Sequence, residues 1–479
     1  MNNIENEVLQ KELIKKLNIN RVGEVEKSKV LEIEEVHPIT LIDYRRFDIM
    51  AKYIYGFFSK NKINSDWGER LYEDHVWVFN RYDEDDNSGK KGINAFLDSF
   101  NRTLNSIREN GYDASVSVLP LGKNNVPLDG AHRLTASLLY DKPVTVVKVN
   151  DKHINYNYEF FKKKGLLTKW SDAMAYEYCK LKRNTYIVIQ TIDTENKINE
   201  SKFFLGNYGN IFYEKKVVLY NEGSNNLLLQ IKKFNNNSNH SNETPVTEKG
   251  ILPFLKGNTS IIIYVIEPRV DITHIRQELK EYPIYISNSH EETISFAQTF
   301  FNKNSIHFLN NAKNGNRTLD NLLAKYKSSL MEVNPEHLCI TSSAVLGAYG
   351  IYTLSKIQFI HLDEELISKL KSLEDTDSCN NWVSHCMSID DIIYNPENHF
   401  YYNGFKFSSL QVVKRLKKHD KNLDKRLILY INILILKSRD SIDIESHCYW
   451  LKKKFNIFRL KIVEKKKRYR SKINKHYYK

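Results

Sequence analysis

The stretch Pro127-Leu128-Asp129-Gly130-Ala131-His132-Arg133-Leu134-Thr135-Ala136 constrains this chain most. Asp129-Gly130 is a turn signal. Leu134, Leu138 and Leu139 follow at helical spacing, which predicts a helix starting near His132. Upstream, residues 114–121 alternate Ser115 and Ser117 with apolar residues, as a half-buried strand does. A turn feeding a helix N-terminus points backbone N–H groups outward, where they can hold a phosphate. His132 and Arg133 then stand in the first turn beside that anion, and Asp129 can hold a metal ion or act as a base. A competing reading makes Asp129 a helix N-cap and Arg133 a surface cation.

The run Leu128 to Arg133, the helix through Tyr140 and then Pro143-Val144-Thr145-Val146-Val147 resemble the ParB/sulfiredoxin-like superfamily. Those domains carry a Gly-x-His-Arg or related motif at a helix start, then a small residue and a short strand, and members bind nucleotides there. Some hydrolyse CTP, some use ATP on a sulfinic acid, and some phosphorylate free serine. The Asp ahead of Gly130 looks most like the serine-kinase branch. The resemblance covers about a quarter of the chain. It implies ATP or CTP with Mg2+, catalytic roles for Asp129, His132 and Arg133, Asp129 as the metal ligand, and Gly130, His132 and Arg133 as nucleotide contacts. Further phosphate contacts are expected from Arg46 and Lys52, which with Arg45 place three cations near one helix start. Lys90, in the loop Gly89-Lys90-Lys91-Gly92, is another; the loop lacks the Walker spacing. His75 is a candidate substrate contact. For the cations near the helix start and for the lysine loop, a solvated surface placement competes.

A chain of 479 residues suffices for several domains, and 41% hydrophobic with 12% aromatic residues supports real cores. The net charge of +13 concentrates after Leu451. A basic tail fits nucleic acid, a membrane surface or an anionic polymer, but an Asn-, Lys-, Ile- and Tyr-rich composition also produces basic surfaces without a partner. Five cysteines without paired spacing, and an N-terminus with no apolar core segment, point to reduced thiols and a cytoplasmic setting. Cys379, His385 and Cys386 fit no zinc spacing. The longest apolar run, residues 427–436, is too short for a membrane span.

The expected fold class is α+β and multidomain. Residues 1–29 are a charged lead-in, 30–190 the ParB/sulfiredoxin-like domain, and 191–304 a small β-rich α+β middle module. Residues 305–440 form an α/β domain with C-terminal helices, and 441–479 a basic helical tail. From just before the middle module, residues 186–190, 216–220, 227–232 and 260–266 read as strands, with turns at Gly206, Gly209 and Asn221-Glu222-Gly223, and an Asn/Ser loop at 235–242. Ser289 and Glu292 have capping-box spacing, which leaves His290 and Glu291 as minor site candidates.

Residues 339–363 resemble the nucleotidyltransferase-like superfamily, whose layout is strand, Gly-Ser, helix, Gly-Leu-Arg, then a strand bearing Asp-x-Asp. Here Ser342-Ser343 replaces Gly-Ser, Tyr352 the Arg, and Lys356 and Gln358 the two metal-binding carboxylates; Asp363, Glu364 and Glu365 are out of register. The resemblance is therefore to a degenerate member, without metal-dependent nucleotidyl transfer. Residues 390–410 resemble the remainder of such domains, whose bacterial relatives look like parts of surface-polysaccharide gene clusters.

Together these features predict a nucleotide-dependent phosphotransferase acting on a hydroxyl-bearing small molecule or glycan, with surface-polysaccharide biosynthesis as its context. The alternative is a non-catalytic ParB-like nucleotide- or nucleic-acid-binding protein; nucleic acid is the less favoured partner, since no helix-turn-helix follows the first domain. A third reading makes both enzyme-like domains inert interaction modules.

Overall fold

The computed structural model describes residues 32–84, 89–149, 152–192, 195–237, 255–280, 282–313, 317–329, 335–352, 356–363, 376–418, 425–437, 445–446 and 448–459, with Glu12, Lys15, Leu17, Val22 and Ile462 as isolated positions. The fold is mixed α+β. Residues Met1–Ile431 form one compact unit and Asn432–Lys479 a second.

The first sheet has the order β1-β3-β2: β3 (Val144–Lys148) pairs antiparallel with β1 (Ile33–Val36) and parallel with β2 (Leu119–Leu121). Four helices pack together beside it: α1 (Asp48–Lys60), α2 (Trp67–Asn80), α3 (Ile93–Asn110) and α4 (Ala131–Tyr140). Their shared core holds Tyr55, Tyr72, Phe100, Leu104 and Leu139. Each such side chain contributes about 1.5–3 kcal/mol on burial. Helices α1 and α4 cross closely because residue 56 is glycine: a Cβ there would lie 2.4 Å from Leu139 Cδ1. Helices α5 (Tyr158–Lys164) and α6 (Thr168–Leu181) complete this part.

The predicted strand over 114–121 is only half realised. Asp113 accepts the Ser115 N–H through its side chain and the Val116 and Ser117 N–H groups through its carbonyl, so 114–116 are turn and Val116 is exposed. After β2 the chain folds back: Gly122 N–H donates to Val126 O, and Leu128 N–H to Pro120 O at 2.9 Å. That return sets Asp129 and the start of α4 at the end of β2.

The second sheet is wholly antiparallel, with the order β5-β6-β4-β7: β4 (Tyr186–Thr191), β5 (Gly209–Leu219), β6 (Thr259–Pro268) and β7 (Ile284–Ile286). Strand β4 pairs with both β6 and β7, so this sheet begins ahead of residue 191. The module is more helical than its β-rich reading. Helix α7 (Glu195–Tyr208) contains Gly206, expected as a turn, and α8 (Asn221–Asn237) replaces the strand expected over 227–232. Leu227 and Ile231 are buried four residues apart while Leu229 is exposed, which is helical rather than alternating burial. Positions 238–242 of the Asn/Ser loop lie outside the described residues. Helices α9 (Ile272–Glu278) and α10 (His290–Phe300) follow; Ser289 caps α10 through the Glu292 N–H, as its spacing predicts.

Helices α11 (Lys303–Asn311) and α12 (Arg317–Ser329) lead to a mixed five-stranded sheet of order β10-β9-β8-β12-β11. Its strands are β8 (Leu338–Thr341), β9 (Ile357–His361), β10 (Thr376–Ser378), β11 (His399–Tyr402) and β12 (Phe405–Ser408). Ser342 and Ser343 lead from β8 into α13 (Ser343–Ala348), and Gln358 sits on β9, with Lys356 just before it. Among the described residues, helices α14 (Asn380–Ser384), α15 (Ile389–Tyr394), α16 (Leu410–Lys418), α17 (Lys425–Lys437) and α18 (448–459) follow. Most of the charged lead-in, Glu364, Glu365 and the run 465–470 lie outside the described residues.

Candidate functional site

The start of α1 builds a buried ion cluster. Arg46 is bidentate to Asp48, with Nε–Oδ1 at 2.8 Å and Nη2–Oδ2 at 2.9 Å, and Lys52 Nζ is 2.8 Å from Asp48 Oδ2. The three side chains are nearly inaccessible. Arg46 also donates to the Pro127 carbonyl, tying α1 to the chain just before Asp129. Burial alone would raise the Asp48 pKa, but the Arg46 and Lys52 charges outweigh it and hold the carboxyl far below the usual range. Arg45 turns instead to Asp43, at 2.8 Å.

His75, on α2, is buried, with its ring 5.0 Å from that of Phe161 and stacked on Phe79. Burial, then Lys52, pushes its pKa well below the ordinary histidine value, with Asp48 opposing. It is thus a neutral imidazole with one donor and one acceptor nitrogen, and neither has a hydrogen-bond partner among the described residues. Trp67 Nε1 on α2 and the Thr135 and Ser137 hydroxyls on α4 are likewise buried without a protein partner, and ordered water or a ligand satisfies such groups.

Tyr72, one turn before His75 on α2, brings its hydroxyl to 2.8 Å from His132 Nε2. The His132 ring stacks on Phe100, with centroids 4.3 Å apart and planes at 9°. Burial, then Lys52 and Lys90, holds His132 well below its ordinary pKa too, so it is also neutral. The helix start is set by Gly130. Its φ is +76°, and a Cβ would sit 2.1 Å from Leu119 Cδ2. Gly130 occupies the cap position of α4 and no side chain caps the helix there, so Asp129 is not the N-cap residue. Asp129 Oδ2 lies instead 3.6 Å from Arg133 Nη2, both partly exposed. The first N–H groups of the helix have no partner within it.

The structure therefore gathers Asp129, Gly130, His132, Arg133, Arg46, Lys52 and His75 into one region. Lys90 is near enough to lower the His132 pKa, but its ammonium pairs with Glu84 at 3.0 Å. Sequence reasoning missed Asp48, Tyr72 and Phe100. Asp48 alone carried a signal, its four-residue spacing to Lys52, and that also fits an exposed helix face. Among the described residues, no group of three or more His, Cys, Asp or Glu is placed to hold a metal ion. Asp129 is a single carboxylate, which suits a magnesium ion held mainly by phosphate oxygens and water.

A cavity of about 340 Å³ lies elsewhere, between α1, α6, α10 and the third sheet, walled by Ile54, Phe57, Phe58, Phe301 and Tyr394. Its ions answer one another: Lys406 Nζ is 2.7 Å from Glu336 Oε2, and Lys180 Nζ 3.3 Å from Glu177 Oε1. Burial would raise Glu336, but Lys406 and Lys180 hold it down to about 2. The ion cluster near Asp129, with its unpartnered imidazole, is the stronger chemical candidate. Compared with known proteins, the chain matches no family model, no curated protein and no solved structure.

Proposed function

We propose that the first domain is a nucleotide-dependent phosphotransferase acting on a hydroxyl acceptor. The observation that carries this reading is the unpartnered, buried His75 beside Arg46, Asp48 and Lys52, close to a glycine-started helix. In this reading the phosphates sit on the N-terminal amides of α4 and on Arg133. Four cations, Arg46, Lys52, Lys90 and Arg133, face three carboxylates, Asp48, Glu84 and Asp129. That small positive excess does not neutralise a triphosphate, so ATP or CTP would arrive with magnesium, which shields the phosphate oxygens. Asp48 is held by two cations, which leaves Asp129 to bind the ion or take the acceptor's proton. Positioning and charge neutralisation supply most of the rate. The acceptor class, a small-molecule or glycan hydroxyl in cytoplasmic steps of surface-polysaccharide synthesis, follows the sequence resemblances.

The test is turnover of ATP or CTP with magnesium by the wild type, Asp129→Asn and Arg133→Ala. Loss in both variants is expected, and equal turnover by all three removes the proposal. The pairing of Asp129 with Arg133 favours one second reading, a nucleotide-binding protein without turnover. It predicts nucleotide affinity that Arg133→Ala weakens, with no product from any of the three.

A further inference from the structure

The last described helix, α18, carries a pattern that the first domain's chemistry does not use. Leu451, Phe455 and Phe458 stand four and three residues apart, so they share one face. They are 60%, 67% and 62% exposed. Ile462 continues the spacing and is also exposed. Trp450 is exposed beside them, with Lys454 Nζ 3.8 Å over its ring. By helical geometry Lys454 lies to one side of the stripe, and Lys452 and Arg459 to the other. Residues 451–479 hold thirteen Lys and Arg against the single acid Glu464, nearly the whole of the chain's +13.

We propose that α18 lies flat on an anionic membrane surface, its Leu451/Phe455/Phe458 stripe in the acyl boundary and its lysines at the headgroups. An exposed apolar stripe edged by cations, with an aromatic residue at the border, is the pattern of an in-plane amphipathic helix. Charge selects the occupant. A second copy of α18 would bring Lys452, Lys454 and Arg459 against their own kind, with no acid on the helix after Glu445 to answer them. A nucleic acid would take the lysines but leave the aromatic stripe in water. An anionic bilayer satisfies both faces at once. Among the described residues, no helix is long and apolar enough to cross a membrane, so the helix would lie on the surface. This inference concerns the second unit alone and is independent of any activity in the first domain.

The experiment is sedimentation of the full-length chain with phosphatidylcholine vesicles, with and without phosphatidylserine. The wild type is expected to pellet only with phosphatidylserine, and less so as salt rises. Phe455→Ser/Phe458→Ser changes two exposed side chains, leaves the charge intact, and is expected to lower the partition at least about tenfold. Lys452→Gln/Lys454→Gln is expected to lower it about fivefold per cation. Three results would overturn the proposal. One is equal binding to neutral and anionic vesicles. Another is binding untouched by the phenylalanine variant, which reduces the contact to tail electrostatics. The third is protein that ignores vesicles but forms a concentration-dependent dimer, or is retained on duplex DNA.

Discussion

Replacing Asp48 by Asn probes the ion cluster on which the candidate site is built. The carboxylate accepts three charge-assisted hydrogen bonds, two from Arg46 and one from Lys52, at 2.8 to 2.9 Å. An amide of the same shape keeps one acceptor oxygen but turns N–H groups toward a cation. With its oxygen at the Oδ2 position the amide keeps the bonds from Arg46 Nη2 and Lys52 and loses the one from Arg46 Nε, at about 1.5–3 kcal/mol. The lost carboxylate charge leaves two buried cations unanswered, which brings the expected total to roughly 3–5 kcal/mol. Urea titration of the full chain should show that loss in the unfolding of the compact unit Met1–Ile431. Adding Lys52→Met to Asp48→Asn removes one stranded ammonium and should recover part of the stability, whereas Lys52→Met alone should destabilise, a coupling that a double-mutant cycle reads directly. The pH dependence fixes the sign independently. The folded-state pKa of Asp48 lies below its unfolded value of about 3.9, so its contribution is full above that value and is lost as pH falls. The gap between wild type and Asp48→Asn should therefore narrow in acid, approaching about 1.4 kcal/mol per pH unit below pH ~3.9. A gap below about 0.5 kcal/mol at neutral pH, or one that widens in acid, would refute the assignment of a buried, ion-paired carboxylate.

Gly130→Ala places a Cβ against Leu119 in a left-handed backbone; about 2–4 kcal/mol of destabilisation is expected in thermal or urea unfolding, together with weaker nucleotide binding. Tyr72→Phe keeps the ring contacts with Tyr55 and Phe100 but removes the hydroxyl from His132 Nε2, which should cost about 1–2 kcal/mol in the same titration. Glu336→Gln removes the partner of Lys406; about 2 kcal/mol is expected at neutral pH, between surface and fully buried values. Since Glu336 is held down to about 2 against about 4.3 when unfolded, its contribution is full above the higher value and vanishes as pH falls through the lower, which acid titration of both proteins checks.

What could be read from the sequence divides by the range of the interaction. Helix α4 was legible because Leu134, Leu138 and Leu139 follow the Asp129-Gly130 turn at helical spacing. The run Leu227-Leu228-Leu229 was too short to reveal its period, and α8 was read as strand. Residues 114–118 alternate like a strand, but the local bonds to Asp113 bend 114–116 into a turn. The site divides the same way. Asp129, Gly130, His132 and Arg133 lie within one turn and were found together. Their partners come from far along the chain: Arg46 reaches Pro127 across 81 residues, and Tyr72 reaches His132 across 60. No local pattern reports a helix crossing, so Asp48 and Tyr72 acquired meaning only once α1, α2 and α4 were seen to pack together.

The two imidazoles give the proposed reaction a physical logic that neither would have alone. His75 is buried and His132 is largely so, stacked on Phe100, and that burial together with Lys52 close to both holds the two rings neutral. A neutral ring with so low a proton affinity is a poor base before nucleotide binds. A polyphosphate settling on α4 brings negative charge to the same place and so opposes the Lys52 contribution, the second cause after burial, that keeps both rings unprotonated. Proton affinity would then rise only when the nucleotide is bound, so a hydroxyl proton could be taken in the loaded complex and not before. In imidazole NMR titrations the ring signals should therefore move toward the protonated form on adding nucleotide at fixed pH, and Lys52→Met should move them the same way without it. If nucleotide binds and the rings do not respond, the histidines only pack against the site and the proton must go to Asp129.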